Sequence, residues 1–268
     1  MTAALTANRP AALRQSLALS HRAVRAIVRQ PQVVFPSLFF PLFFAALNSA
    51  AFDRITTAQP VFAQRYDSFL DFLLPATVLQ GVLFGSTQSG TEMANDIEMG
   101  FFDRLLASPV SRTSILVGRL AGGAALGAAQ AVFFTVVLVL FGAEVTGVPA
   151  VAVLVVCSAL LAIGIGGFGV VLGIRTGSAE AVQGAFPLIF VLMFTSSAFF
   201  PIELMSGWYE AVARYNPISW VLDALRELLS VGWSTTDALV AVAASLGIAA
   251  LAIVSAQRAL RRRLVVAS

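Results

Sequence analysis

The chain has 268 residues, of which 58% are hydrophobic and 12% charged, with a formal net charge of +3 at neutral pH. Soluble domains run near 25% charged, so this composition excludes a single water-soluble core and makes lipid the natural solvent. All 17 basic residues are arginine, which excludes a Walker A loop, because that loop needs a lysine to reach the β- and γ-phosphates. One cysteine, Cys157, and one histidine, His21, cannot build a disulfide framework or a Cys/His metal site within one chain. His21 reads as an interfacial residue and Cys157 as small hydrophobic packing.

The arginines from Arg9 to Arg29 precede an apolar run too long for the h-region of a signal peptide. Small residues at Ser49, Ala50 and Ala51 imitate a cleavage site, but an uncleaved first membrane helix is the preferred reading. Residues 10–30 read as an amphipathic helix lying on the membrane. Leu13, Leu17, Val24, Ile27 and Val28 recur at helical spacing, and Arg22, Arg25 and Arg29 share a polar face. A plain positive tail explains the arginines equally well and the periodicity less well.

A first span is expected over residues 33–52, close to the roughly 20 residues a bilayer core demands. Pro31, Pro36 and Pro41 crowd its start and predict a kinked entry. Residues 53–67 form a polar loop. The second span, 69–91, ends in a polar, small-residue stretch from Gln80 to Gly90, which suits close helix packing or a solvated path. Residues 92–119 are then expected as a charge-dense loop. Its acids Glu92, Asp96, Glu98 and Asp103 fit either a basic groove on a partner or ordinary solvation.

The third span is expected over 120–141 and the fourth over 148–174, with Gly164, Gly166, Gly167, Gly169 and Gly173 in its second half. Such glycines permit close backbone approach or local unwinding, and packing is preferred to a hinge. A turn at 175–180 leads to a fifth span over 181–200, which carries Pro187, Thr195, Ser196 and Ser197. No charge-free window of 20 residues exists from Pro201 to Thr236, so two helices there, about 203–215 and 219–229, read as interfacial or re-entrant. Trp208, Tyr209 and Tyr215 suit the headgroup level, and Asp223 is spaced to pair with Arg226. A sixth span, 238–256, precedes the basic residues Arg258, Arg261, Arg262 and Arg263. Thirteen arginines fall on the side of the two termini and central loop, and four (Arg54, Arg65, Arg214, Arg226) on the other, so both ends are expected in the cytoplasm.

The central loop reads Glu98, Gly100, a short amphipathic run to Leu105 and Leu106, then Pro109-Val110-Ser111-Arg112 and Gly118-Arg119. Later come Phe200-Pro201, Asn216-Pro217 and Asp223-Ala224-Leu225-Arg226. Together these resemble the ABC-2 transporter permeases of the daunorubicin-exporter type, with one departure: Met205-Ser206-Gly207-Trp208 stands where many members carry Leu-Pro-x-Trp. The resemblance implies an all-α integral membrane fold of six transmembrane helices, with an N-terminal interfacial connecting helix, a cytoplasmic coupling helix and an extracellular re-entrant segment. The organisation is then 1–30 as tail and connecting helix, 31–257 as the transmembrane domain with coupling loop 92–119 and re-entrant segment 201–236, and 258–268 as a basic tail.

What the resemblance further implies is a permease without ATPase activity. It would bind no cofactor itself, while two copies of an ABC-type ATPase subunit hold ATP and Mg, and it would pair with a second permease chain, identical or different, among the lipids of a bacterial plasma membrane. Ile97, Glu98, Met99, Gly100, Phe101, Phe102, Arg104 and Leu105 are the candidate ATPase-coupling residues. Glu98 is expected as a charged or helix-start contact and Gly100 as a site of close approach. Gln80, Gln88, Gln130, Thr195 and Ser196 are candidate pathway contacts, each also readable as helix glue, and Pro201, Trp208, Asn216, Pro217 and Arg226 a candidate re-entrant gate.

With no ionisable residue near mid-membrane, the expected cargo is a hydrophobic or amphipathic drug or a lipid-like molecule. The rival within the family is export of a lipid-linked polysaccharide or cell-wall precursor, which asks for a wide pathway. A gradient-driven secondary transporter would show intramembrane carboxylates and repeated halves, and a membrane enzyme would show a catalytic or metal constellation; neither pattern is visible.

Overall fold

The structure, a computed structural model, describes residues 31–52, 54, 62, 65–107 and 112–266. The expected connecting helix at 10–30 and the Pro109-Val110-Ser111 stretch lie outside the described residues. Among those described, the protein is helical, as lipid requires: an apolar run there must satisfy its own backbone donors and acceptors, and a helix does so within one segment. The helices are α1 (Pro31–Phe52), α2 (Phe69–Ser86), α3 (Gln88–Glu98), α4 (Phe101–Ala107), α5 (Arg112–Leu140), α6 (Val148–Thr176), α7 (Ala179–Gly184), α8 (Phe186–Phe194), α9 (Gly207–Tyr215), α10 (Pro217–Arg226) and α11 (Thr235–Val266). A π-helical turn, Glu227–Val231, follows α10.

Five helical stretches among the described residues are long and apolar enough to cross a membrane: Val34–Phe52, Phe69–Glu98, Ser114–Leu140, Val148–Thr176 and Thr235–Arg263. The expected fifth span is not one of them. Its first part is divided into α7 and α8, broken at Ala185 (φ −82°, ψ −9°), with Pro187 at the start of the second piece. Helix α8 stops at Phe194, because the Thr195 and Ser196 hydroxyls bond back to Val191 and Met193 carbonyls as the chain turns. Helix α1 runs on through Pro36 and Pro41, and α11 continues through the basic residues expected as a tail.

Helix α6 is the centre of the bundle and packs against α11, α5, α3 and α2. Its glycines serve the packing reading. A β-carbon at Gly164 would meet Ile248 of α11 at 2.7 Å, at Gly167 Ala252 at 2.9 Å, and at Gly173 the Gly90 carbonyl oxygen of α3 at 2.7 Å. The polar end of the second span is likewise a packing surface: a β-carbon at Gly85 would meet Leu126 at 2.9 Å, and Gly123 of α5 and Gly166 of α6 both lie against Ser89. Between helices in lipid, such contacts supply the attraction that water supplies elsewhere.

The ends are fixed by local chemistry. Ser68 and Asp71 form a reciprocal capping box at the start of α2. Gly177 closes α6 in the left-handed conformation (φ +64°), its N–H returning to the Gly173 carbonyl at 2.8 Å.

Candidate functional site

The charge-dense region between the second and third candidate spans is shorter than a loop over 92–119. Residues 92–98 complete α3, and Arg112 to Arg119 open α5. The charges are tolerated because they pair: the Arg119 guanidinium donates to Glu92 at 2.8 Å and also to Asp96, all three side chains largely shielded. Two of the acids thereby have partners within the chain. Beyond them the backbone turns at Met99 and Gly100, where Gly100 adopts φ +67° and donates to the Ile97 carbonyl at 3.0 Å. A β-carbon there would meet nothing within 4 Å. The left-handed turn itself therefore selects glycine.

Helix α4 then lies across the ends of the bundle. Phe102 is buried and Leu105 packs beside it, in a cluster with Met93, Ile115, Leu116, Ile174, Ala259 and Leu260, and with Ile97 at its margin. Met99 is 68% exposed. Asp103 and Arg104 face outward, and the Arg104 guanidinium stands 5.8 Å from the Phe101 ring. Glu98 is exposed as well, and its carboxylate accepts a hydrogen bond from the Ala179 N–H at the start of α7, 3.1 Å. The segment is thus anchored by Phe102 and Leu105, while Met99, Asp103 and Arg104 remain open to a partner.

The structure does not gather the candidate pathway residues into one cavity. Gln80 is buried at the meeting of two crevices, one lined by Phe44, Asn48 and Phe199, the other by Phe84, Phe186 and Phe190, each about 10 Å³. Its Nε2 has no hydrogen-bond partner. Gln130 donates to the Ser37 hydroxyl at 3.0 Å, joining α5 to α1. Gln88 opens α3. Thr195 and Ser196 bond within their own turn, and the Thr195 hydroxyl also accepts from the Asn216 side chain at 3.4 Å.

At the other end, Arg226 is enclosed, its side chain 3% exposed. It donates to the Phe72 and Ala198 carbonyls (3.1 and 2.9 Å), the Ser197 hydroxyl (3.3 Å) and Asp223 (3.1 Å), and lies 3.8 Å from the Phe72 ring. Burial pushes its pKa down from the ordinary guanidinium value and Asp223 opposes this; an arginine remains charged through this range. Burial pushes the neighbouring Tyr66 phenol up, with Arg226 opposing. These groups floor a cavity of about 210 Å³ rimmed by Pro201, Glu203, Arg214 and Glu227. Asn216 is buried; its side chain caps α10 through the Ile218 N–H (2.9 Å) and donates to the Leu192 carbonyl (2.7 Å), while Pro217 occupies the first turn of α10. Trp208 is exposed beside Tyr209, whose hydroxyl donates to the Phe194 carbonyl at 2.7 Å. In the departing Met205-Ser206-Gly207-Trp208 turn, Gly207 takes φ +64°.

Sequence reasoning missed the clamp beside this cavity. The π-helical turn is met by Thr146, which bonds the Leu229 and Leu228 carbonyls at 2.9 and 2.5 Å. Asp71 also accepts from the Glu144 N–H at 2.8 Å. Asp71 at the third position of a capping box was the available signal for part of it.

The ABC-2 type transporter family matches residues 14–229. The chain belongs to that family. Similar to this ABC-2 permease are the daunorubicin resistance ABC transporter permease protein DrrB1 of Streptomyces coeruleorubidus, 30% identical over 223 residues, 80% of this chain and 75% of that protein. The Probable doxorubicin resistance ABC transporter permease protein DrrC of Mycobacterium tuberculosis is 23% identical over 215 residues, 79% and 75% of the two chains. The linearmycin resistance permease protein LnrN of Bacillus subtilis is 29% identical over 166 residues, 60% of this chain and 42% of that protein. The ABC-2 permease is therefore a multi-pass membrane protein and a transport subunit.

Proposed function

We propose that this chain is the membrane subunit of an ATP-driven exporter that moves a hydrophobic or amphipathic drug or a lipid-like molecule. Two copies of a separate ABC-type ATPase would dock on α4, beneath a pair of permease chains, in a bacterial plasma membrane with both termini in the cytoplasm. Helices α7 and α8 then serve as a fifth span in two pieces, giving six. The observation that carries the reading is the α3–α4 corner, whose apolar face is anchored among spans while Met99, Asp103 and Arg104 stay exposed.

The cargo class is supported by the drug-resistance names of relatives and by the narrow, phenylalanine-lined crevices beside Gln80. A lipid-linked polysaccharide asks for a wider path. Closure of the ATPases on ATP presses on α4 and tilts α2–α3 and α5. ATP shifts the equilibrium only by as much as it favours one state over the other. Pro201, Trp208, Asn216, Pro217 and Arg226 form the gate opposite.

The test is co-purification with the candidate ABC-type ATPase into lipid nanodiscs, with hydrolysis measured as hydrophobic drugs are added one at a time. A stable complex whose hydrolysis responds to a drug, with the response lost in Gly100→Trp, is expected. A folded chain that binds no ATPase refutes the reading.

A further inference from the structure

We propose that Glu98 is a positioning residue: its carboxylate latches the coupling corner to the first piece of the broken span, delivering movement of α4 to α7 and α8. The inference rests on the exporter reading above and reassigns Glu98 from a contact with the ATPase to a contact within the permease.

The geometry begins at Ala179, the first residue of α7, whose N–H has no partner within its own helix. Ser178 caps the Ala181 N–H at 3.3 Å, and the Ala179 N–H goes to Glu98 at 3.1 Å. A carboxylate accepting from a backbone N–H is a charge-assisted bond. The adjoining Ile97 lies against the turn that joins α6 to α7, its Cγ2 3.4 Å from where a β-carbon of Gly177 would stand. On the same helix Glu92 and Asp96 hold Arg119 of α5, so α3, α5 and the start of α7 are tied together directly above α4.

The broken span suits a lever. Helix α7 is six residues long and ends at Gly184, where a β-carbon would meet nothing within 4 Å. Helix α8 follows after Ala185, and the carbonyls at its far end are held by Asn216 and Tyr209 of the re-entrant hairpin. A pull on Ala179 therefore reaches a jointed rod whose other end bears on the gate.

The two roles of Glu98 separate in the Ala179→Pro variant. Proline removes the N–H and leaves the carboxylate untouched. The first helical position accepts proline, and Ser178 before it (φ −123°, ψ 127°) already lies in the region a residue preceding proline adopts. Spin labels on Ala107→Cys at the end of α4, outside the residues named for ATPase docking, and Leu188→Cys of α8, both exposed positions, report the separation in the complex with its ATPase, without nucleotide and with ATP plus vanadate. The separation is expected to change on ATP plus vanadate in the wild-type background. The change is lost in both Glu98→Ala and Ala179→Pro and kept in Glu98→Gln, whose amide oxygen still accepts.

An Ala179→Pro protein that moves as wild type while Glu98→Ala does not, or loses the ATPase, refutes the latch and returns Glu98 to the partner interface. A wild-type complex that hydrolyses ATP with no change in separation refutes it as well. Failure of any ATPase to bind refutes the exporter reading first and the latch with it. Should Ala179→Pro fail to fold, Glu98→Gln against Glu98→Ala decides: equal loss in both overturns the latch.

Discussion

Substituting Gly90 by alanine tests the helix crossing on which the α4 end of the bundle depends. Gly90 of α3 meets Gly169 of α6, and a β-carbon at position 90 would stand 2.5 to 2.7 Å from the carbonyl carbon, oxygen and Cα of Gly169. Ordinary contact begins at 3.4 Å, so the helices must part by about 0.9 Å, and backbone atoms cannot rotate aside as a side-chain tip can. Overpacking of this kind costs about 1–3 kcal/mol, while replacing glycine within a helix returns about 1 kcal/mol. A net loss of about 0–2 kcal/mol is expected. The control is Gly247→Ala in α11, where a β-carbon would meet nothing within 4 Å and only the helix gain of about 1 kcal/mol remains. Equilibrium unfolding in mixed micelles, followed by tryptophan fluorescence, should place Gly90→Ala at or below wild type and Gly247→Ala above it. A Gly90→Ala protein stabilised as much as Gly247→Ala would show that α3 and α6 do not cross there.

Arg226→Met should lower the unfolding midpoint in the same assay, because it leaves the Phe72 and Ala198 carbonyls without their donor, at about 1–3 kcal/mol for each buried group left unsatisfied. Asp223→Asn should also lower the unfolding midpoint, because it strips the enclosed Arg226, 3% exposed, of its counter-charge. Arg119→Ala should lower the unfolding midpoint by leaving Glu92 and Asp96 without their shared cation, and adding Asp96→Asn should recover part of the loss; no recovery would refute the three-way pairing. At Gly100, Val should cost about 1–2 kcal/mol through the left-handed backbone and Asn distinctly less. Equal effects would place the demand for glycine outside the turn.

Continuous apolar runs fixed α1, α6 and the membrane part of α11 closely, because bilayer thickness sets the length of such a run. Hydropathy weighs composition and is blind to a backbone break, so α7 and α8 read as one span; Gly184 and Pro187, three residues apart, were the legible trace of the joint. Charge misled in the opposite direction. Glu92, Asp96 and Arg119 looked like a loop because their neutralising partners lie 23 and 27 residues away in sequence, and no local pattern shows a pairing at that range. The same blindness hid the bond from Glu98 to Ala179. The buried glycines of α6 and the Asp223–Arg226 pair, which need only helical spacing, were readable. Met205-Ser206-Gly207-Trp208 departs from the family pattern yet still finds a turn, because Gly207 supplies the positive φ that turn uses.

The clamp formed by Thr146, Asp71 and Arg226 ties one end of the bundle, and the pairing of Arg119 with Glu92 and Asp96 ties α3 to α5 at the other. Phe69–Glu98 is a rod of 30 residues, about 45 Å long at 1.5 Å per residue, and it is pinned near Asp71 and Phe72. Tilting such a rod by about 5° hardly displaces the end at the clamp and carries the Glu98 end, with α5 tied to it through Arg119, through about 4 Å, roughly the width of a methyl group. Small angular changes at the clamp are therefore read out as full side-chain displacements at Glu98. The same lever run backwards carries a push at the Glu98 end to the clamp.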